Sequence, residues 1–152
     1  MSAESHLDEH GITLPEPPPP VGNYIGAVTV GNLVFLSGHG PRKPDDTFIT
    51  GKVGRDLNLE EAQAAARLVG LNSLATLKAE IGSLERVKRV VKVLGMVNAV
   101  PEFEDHPKVI NGFTDLMVEV FGDPGRSARS AVGMGSLPFQ IAVEVEMIVE
   151  LT

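Results

Sequence analysis

The chain reads as an α/β protein of the α+β kind: a mixed six-stranded sheet with two helices on one face, in the order β-β-β-α-β-α-β-β. Three observations predict this. Two β-prone runs flank Gly31-Asn32, a dipeptide suited to the positive φ of a tight hairpin turn. Apolar residues recur at helical spacing over 59–81. The closing run, 141–151, alternates apolar and polar residues, as a half-buried strand does.

The hairpin strands are expected over 27–30 and 33–37. Gly38-His39-Gly40-Pro41 then breaks the chain into a loop, and a short third strand is expected over 47–50. Asn58 suits the N-cap of the long helix, Glu60 and Glu61 suit its positive end, and Gly82 suits its exit. Ala62, Ala66, Val69, Leu74, Leu77 and Ile81 form its apolar face, and the alanines let that end approach a sheet closely. The β-branched run 90–97 predicts a strand. A second helix follows over 107–121, with Asp105 as its cap, Pro107 in its first turn and Gly122 at its end. Its stripe from Val109 through Ile110, Phe113, Leu116, Met117 and Val120 to Phe121 reads as core. Another strand covers 130–134. In the last strand Ile141, Val143, Val145, Met147 and Val149 point one way, opposite Ala142, Glu144, Glu146, Ile148 and Glu150.

With 152 residues, 43% of them hydrophobic, the chain suits one domain with a real core. That domain is expected over 21–152. Residues 1–20 are acidic and proline-rich, and they read as a flexible arm whose proline run at 15–20 is extended. They lack the basic start and apolar run of a secretory signal, and no stretch approaches a membrane helix. The expected location is the cytoplasm. The chain has no cysteine, which excludes disulfides, thiolate nucleophiles and cysteine metal sites. A net charge of −7 argues against a nucleic-acid partner, whose phosphates would need neutralising. The basic run Arg86, Lys88, Arg89 and Lys92 reads as a solvated helix end and strand start, with no interleaved aromatics to stack bases.

Two helices cover one face of such a sheet and leave nothing for the other. Val28, Val30, Val34, Leu36, Val90, Leu94 and Met96 are apolar on both sides of their strands. An open sheet carrying them would expose a large apolar patch, so self-association is expected.

Metal and nucleotide sites find little support. His6, His10, His39 and His106 are scattered, and the His6-x-x-x-His10 spacing sits in the acidic arm outside any His-Glu-x-x-His frame. The glycines fit no phosphate-binding fingerprint. Ser37 and Ser130 lie in no nucleophile elbow. Arg129 and Glu144 remain. Arg129 is either a surface arginine at a strand start or a planar fork for a carboxylate. Glu144, with Glu146, lies on the polar side of the last strand. There it either faces solvent or, at a subunit interface, becomes a partly desolvated acid, base or water-holder.

Two blocks then resemble the RidA/YjgF family. The first is V-G-N-Y-I-G-A-V-x-x-G-N-L-V-F-L-S-G-x-x-P over 21–41. The second is R-S-A-V-G-M-G-S-L-P-F-Q-I-A-V-E-V-E over 129–146. The resemblance implies a chorismate-mutase-like fold and a homotrimer with clefts between subunits. It also implies hydrolysis of reactive enamines and imines to 2-keto acids and ammonia without a cofactor. Carried onto this chain, Arg129 would bind the substrate carboxylate and Glu144 would position or activate the attacking water. Tyr24, Ser37, Gly38, His39, Asn111 and Ala131 would line or shape the cleft. A non-catalytic family member that binds a small carboxylate or regulates a partner is the alternative, and RNA cleavage, attributed to some relatives, is a further one. The chain departs from the family pattern at Ala131, where cysteine is frequent, and at His39, where glutamine is. The region from Val97 through the second helix is longer, and the proline arm is extra.

Overall fold

In the computed structural model, which describes residues 2–152, the hairpin forms as expected. β1 (Ala27–Val30) pairs antiparallel with β2 (Leu33–Leu36), with Val30 opposite Leu33 across the turn. Gly31 alone takes positive φ there (+61°), the type II′ pattern that matches strand twist. α2 (Leu59–Ile81) follows, capped by Asn58: its side chain accepts from the Glu61 amide at 2.8 Å, while Glu61 accepts from the Asn58 amide at 3.1 Å. β3 (Val87–Asn98), α3 (His106–Phe121), β4 (Ala128–Met134) and β5 (Val143–Leu151) complete the domain. Asp105 sits at the cap position of α3 without capping it; its carboxylate instead faces Lys108 at 3.6 Å.

The sheet has five strands in the order β1-β2-β5-β3-β4. β4 runs parallel to β3 and the other pairings are antiparallel. The expected sixth strand does not form. Phe48 bridges Arg42 and Thr50 bridges Ile141, so the segment divides its bonds between two partners and builds no ladder. Gly51, at φ +121°, then turns the chain away.

α2 and α3 pack on one face. Their apolar stripes close over Val90, Val93, Val145, Met147 and Val149, with Phe113, Leu74 and Ile110 fully buried between. The helices cross closely because Gly112 faces the backbone of Gln63: a Cβ there would lie 2.1 Å from that carbonyl oxygen. The other face carries no helix. Val28, Val30 and Phe35 are 46%, 60% and 41% exposed, and Leu94, Met96 and Ile148 are half-buried on the same uncovered sheet.

A third helix corrects the reading of the N-terminus as a flexible arm. α1 (Ala3–Glu9) begins with a Ser2/Ser5 capping box and buries Ala3 and Leu7 in the core cluster. Its His6 ring bonds the Val120 carbonyl through Nδ1 at 2.8 Å, and Glu4 pairs with Lys78 at 3.1 Å. His6 therefore docks a helix. The chain then passes through partly buried Ile12 and Leu14 into the proline run, which Arg42 ties down by donating from Nη1 to the Glu16 carbonyl at 3.3 Å. Among the described residues no helix is long and apolar enough to cross a membrane.

Candidate active site

β2 ends at Leu36, and the chain continues beside the first residues of β5. His39 exchanges backbone bonds with Val145, at 2.9 Å from its amide and 3.1 Å to its carbonyl. This lays Ser37 and Gly38 against Glu144. A Cβ on Gly38 would come within 2.2 Å of Glu144 Oε2, so the loop can pass only as glycine while the carboxylate keeps this position. Here a pocket of about 530 Å³ opens, lined by Tyr24, Gly38, Glu144 and Glu146 with apolar walls. Burial, and then the charge of Glu146, raise the Glu144 carboxyl above its ordinary value of 4.5. That environment suits a group that gives and takes protons.

The loop is clamped from behind by two polar residues on the buried face of α2. Asn72 donates to the Arg42 carbonyl at 3.0 Å. Thr76 meets His39 Nε2 at 2.8 Å, while Nδ1 lies 2.6 Å from the Ser37 carbonyl. A carbonyl only accepts, so Nδ1 carries the proton and Nε2 accepts from the threonine hydroxyl. Burial lowers the His39 pKa below 6.5, against the raising effect of the Ser37 bond. His39 borders the pocket, but its ring is a buried neutral clamp rather than a cleft imidazole. Ser37 likewise has its hydroxyl committed, donating to the Ile25 carbonyl at 2.6 Å.

Just before β5, the turn at 138–140 carries two non-glycine residues with positive φ. Phe139 (φ 57°, ψ 18°) and Gln140 (φ 57°) are left-handed, a conformation costing about 1–3 kcal/mol at each such residue. Buried Asn98 holds the turn, donating to Gln140 Oε1 at 3.2 Å and to the Ile141 carbonyl at 3.1 Å.

Arg129 stands elsewhere. It pairs in register with Val93, whose side chain is on the helix-covered face, whereas Glu144 pairs with Met96 on the open face. Its Nη1 donates to Asn111 Oδ1 at 2.7 Å and to Thr114 Oγ1 at 3.1 Å, both on α3. Nη2 and Nε make no hydrogen bond with the described residues, and Arg129 borders a second hollow with Ser127 and Arg126. Asn111 thus acts as the arginine's holder. Ala131 lies next along the same edge strand, paired with Gly95. One chain therefore gathers Tyr24, Ser37, Gly38, His39 and Glu144 at one site, and Arg129, Asn111 and Ala131 at another. It does not bring Arg129 and Glu144 together.

A family model described as "YjgF/chorismate_mutase-like, putative endoribonuclease" matches residues 4–151. The chain belongs to this family. Among YjgF-family relatives it is 43% identical over 148 residues to Protein TCP17 of Trypanosoma cruzi, covering 97% of this chain and 92% of the relative. It is 37% identical over 139 residues to a 2-iminobutanoate/2-iminopropanoate deaminase of Dermatophagoides farinae, covering 91% and 93%. A crystal structure of Atu1372 from Agrobacterium tumefaciens, described as of unknown function, superposes with a TM-score of 0.90 at 44% identity, covering 99% of this chain and 94% of that one. The family match begins at residue 4, inside α1, rather than at residue 21.

Sequence reasoning missed Asn72, Thr76, Asn98 and Phe139. The first two had a signal: polar residues four apart, facing inward on an apolar helix, need a partner off the helix. Asn98 and Phe139 had none, because their roles depend on a turn whose conformation no local pattern specifies.

Proposed function

We propose that this protein hydrolyses 2-imino acids to 2-keto acids and ammonia, in clefts completed by neighbouring subunits of a homotrimer. The observation that carries the reading is the separation of Arg129 from Glu144. Each sits in an incomplete half-site, one a guanidinium held rigid by Asn111 and Thr114, the other a carboxyl of raised pKa in an apolar pocket. Joining the half-sites across an interface gives a carboxylate anchor and a proton-transfer group facing one substrate. The uncovered apolar face of the sheet supports such an interface, and so does the deaminase named among the relatives.

The chemistry asks little more. Arg129 of one subunit grips the substrate carboxylate and fixes the iminium carbon near Glu144 of the next. Glu144 takes a proton from a water as its oxygen bonds to that carbon, and the C=N π bond becomes a lone pair on nitrogen. The protonated Glu144 returns the proton to that nitrogen. The C–N bond then breaks with its electron pair leaving on nitrogen, while Glu144 takes the hydroxyl proton and passes it to the departing ammonia, leaving a 2-keto acid and ammonium. Two carboxylates in the pocket and a net charge of −7 disfavour the RNA-cleavage alternative, since phosphates would be repelled.

The test generates 2-imino acids in place with an amino-acid oxidase and follows 2-keto acid release. The protein should accelerate release. Arg129→Ala should abolish 2-keto acid binding, and Glu144→Ala should keep binding while lowering turnover by about 100-fold or more. Wild-type rates from both variants would remove this cleft assignment. Binding without turnover in the wild-type trimer would instead favour a carboxylate-binding member.

A further inference from the structure

We infer that the cleft selects acids with a bulky apolar side chain, and that Phe139 and the proline strap are the wall that reads it. This rests on the cleft assignment above and adds the substrate class. Glu144 and Glu146 lie together in the pocket, Arg42 in its lining is paired with Asp46, and the rest of the wall includes Pro18, Pro19, Pro20, Tyr24, Phe48 and Phe139. A three- or four-carbon acid would leave much of a volume near 530 Å³ unfilled. A branched or aromatic side chain would fill it against apolar surface, whereas a hydroxylated one would find few partners there.

Two features show that this wall is built. Phe139 is 77% exposed, the highest value among the large apolar side chains of the described residues, and it is held so in left-handed backbone. Buried Asn98 and the Gly51 amide, which donates to the Gln140 carbonyl at 2.8 Å, maintain that turn. A strained backbone that presents an aromatic ring to a pocket points to a use for the ring. The strap is the second feature. Its prolines lose little freedom on binding, and it is fixed on its N-terminal approach, through docked α1 and through Arg42 on the Glu16 carbonyl. The wall is in place before a ligand arrives.

Calorimetric titration with pyruvate and with 3-phenylpyruvate tests this on wild type and Phe139→Ala. One methylene in an apolar pocket is worth about tenfold or more, so phenylpyruvate should bind wild type at least about tenfold tighter than pyruvate. Phe139→Ala should lose most of that preference by weakening phenylpyruvate binding far more than pyruvate binding, and Pro19→Gly, which loosens the strap, should reduce it too. Equal affinities in the wild type, a preference that survives in Phe139→Ala, or no binding of either acid would overturn the inference. So would loss of the assembled state by Phe139→Ala in sedimentation, which would assign the ring to a subunit contact. Turnover is a separate matter. Preferential binding without acceleration of any imine would end the deaminase reading and leave the selectivity standing.

Discussion

His39 shows how one side chain can stabilise the site without entering it. Its ring is neutral because it is buried, accepts from Thr76, and donates to a carbonyl that cannot reciprocate. The pH dependence follows from the lowered pKa. The unfolded chain takes up this proton near pH 6.5, before the folded one does. The contribution is therefore complete above that pH and is lost as pH falls toward the lowered folded value. Thermal melts from pH 8 to pH 5 should show wild type losing ground to His39→Gln, which cannot titrate. A midpoint difference that stays constant over this range would refute the assignment. The sequence left His39 open between pocket residue and loop histidine, because its choice of face depends on the His39–Val145 bridge, a contact made across more than a hundred residues.

At the level of elements, the strongest patterns were also the most legible. α2 occupies the predicted 59–81, since its cap, apolar face and terminal glycine all lie within the segment itself. α1 was hidden for the converse reason. A seven-residue helix is unstable alone, and this one exists because Ala3, Leu7 and His6 dock it. The place of the proline strap was not readable, because polyproline has no internal hydrogen bonds and this run takes its position from Arg42. The α2–α3 crossing can be tested at Gly112. Alanine there gains about 1 kcal/mol of helix propensity but meets a backbone carbonyl that cannot step aside. Overpacking of this kind costs about 3 kcal/mol, so the clash wins and Gly112→Ala should lower the urea midpoint clearly. An unchanged midpoint would mean the helices separate at a cost of only about 1 kcal/mol, no more than the propensity gained.

Across the whole molecule, the sequence indicated that one sheet face lacks a cover but not which functional residues lie on which face. β5 alternates cleanly, so Glu144 could be placed opposite Val143 and Val145. β4, Ala-Arg-Ser-Ala-Val-Gly-Met, carries no comparable alternation, and only its register with β3 turns Arg129 toward α3. A pair of chemical groups named together from sequence thus proves to be divided by the thickness of a sheet.

With the clefts shared between subunits as proposed, that division has a genetic consequence. A subunit lacking Arg129 still offers an intact Glu144 pocket, and a subunit lacking Glu144 still offers its arginine. Two dead proteins, Arg129→Ala and Glu144→Ala, should therefore rescue one another when coexpressed. With random mixing about a quarter of the clefts would receive both intact halves, and activity should return to about that fraction of wild type. If each cleft were built from one chain, the mixture would stay silent. In a cell carrying both alleles, neither lesion would behave as a simple null.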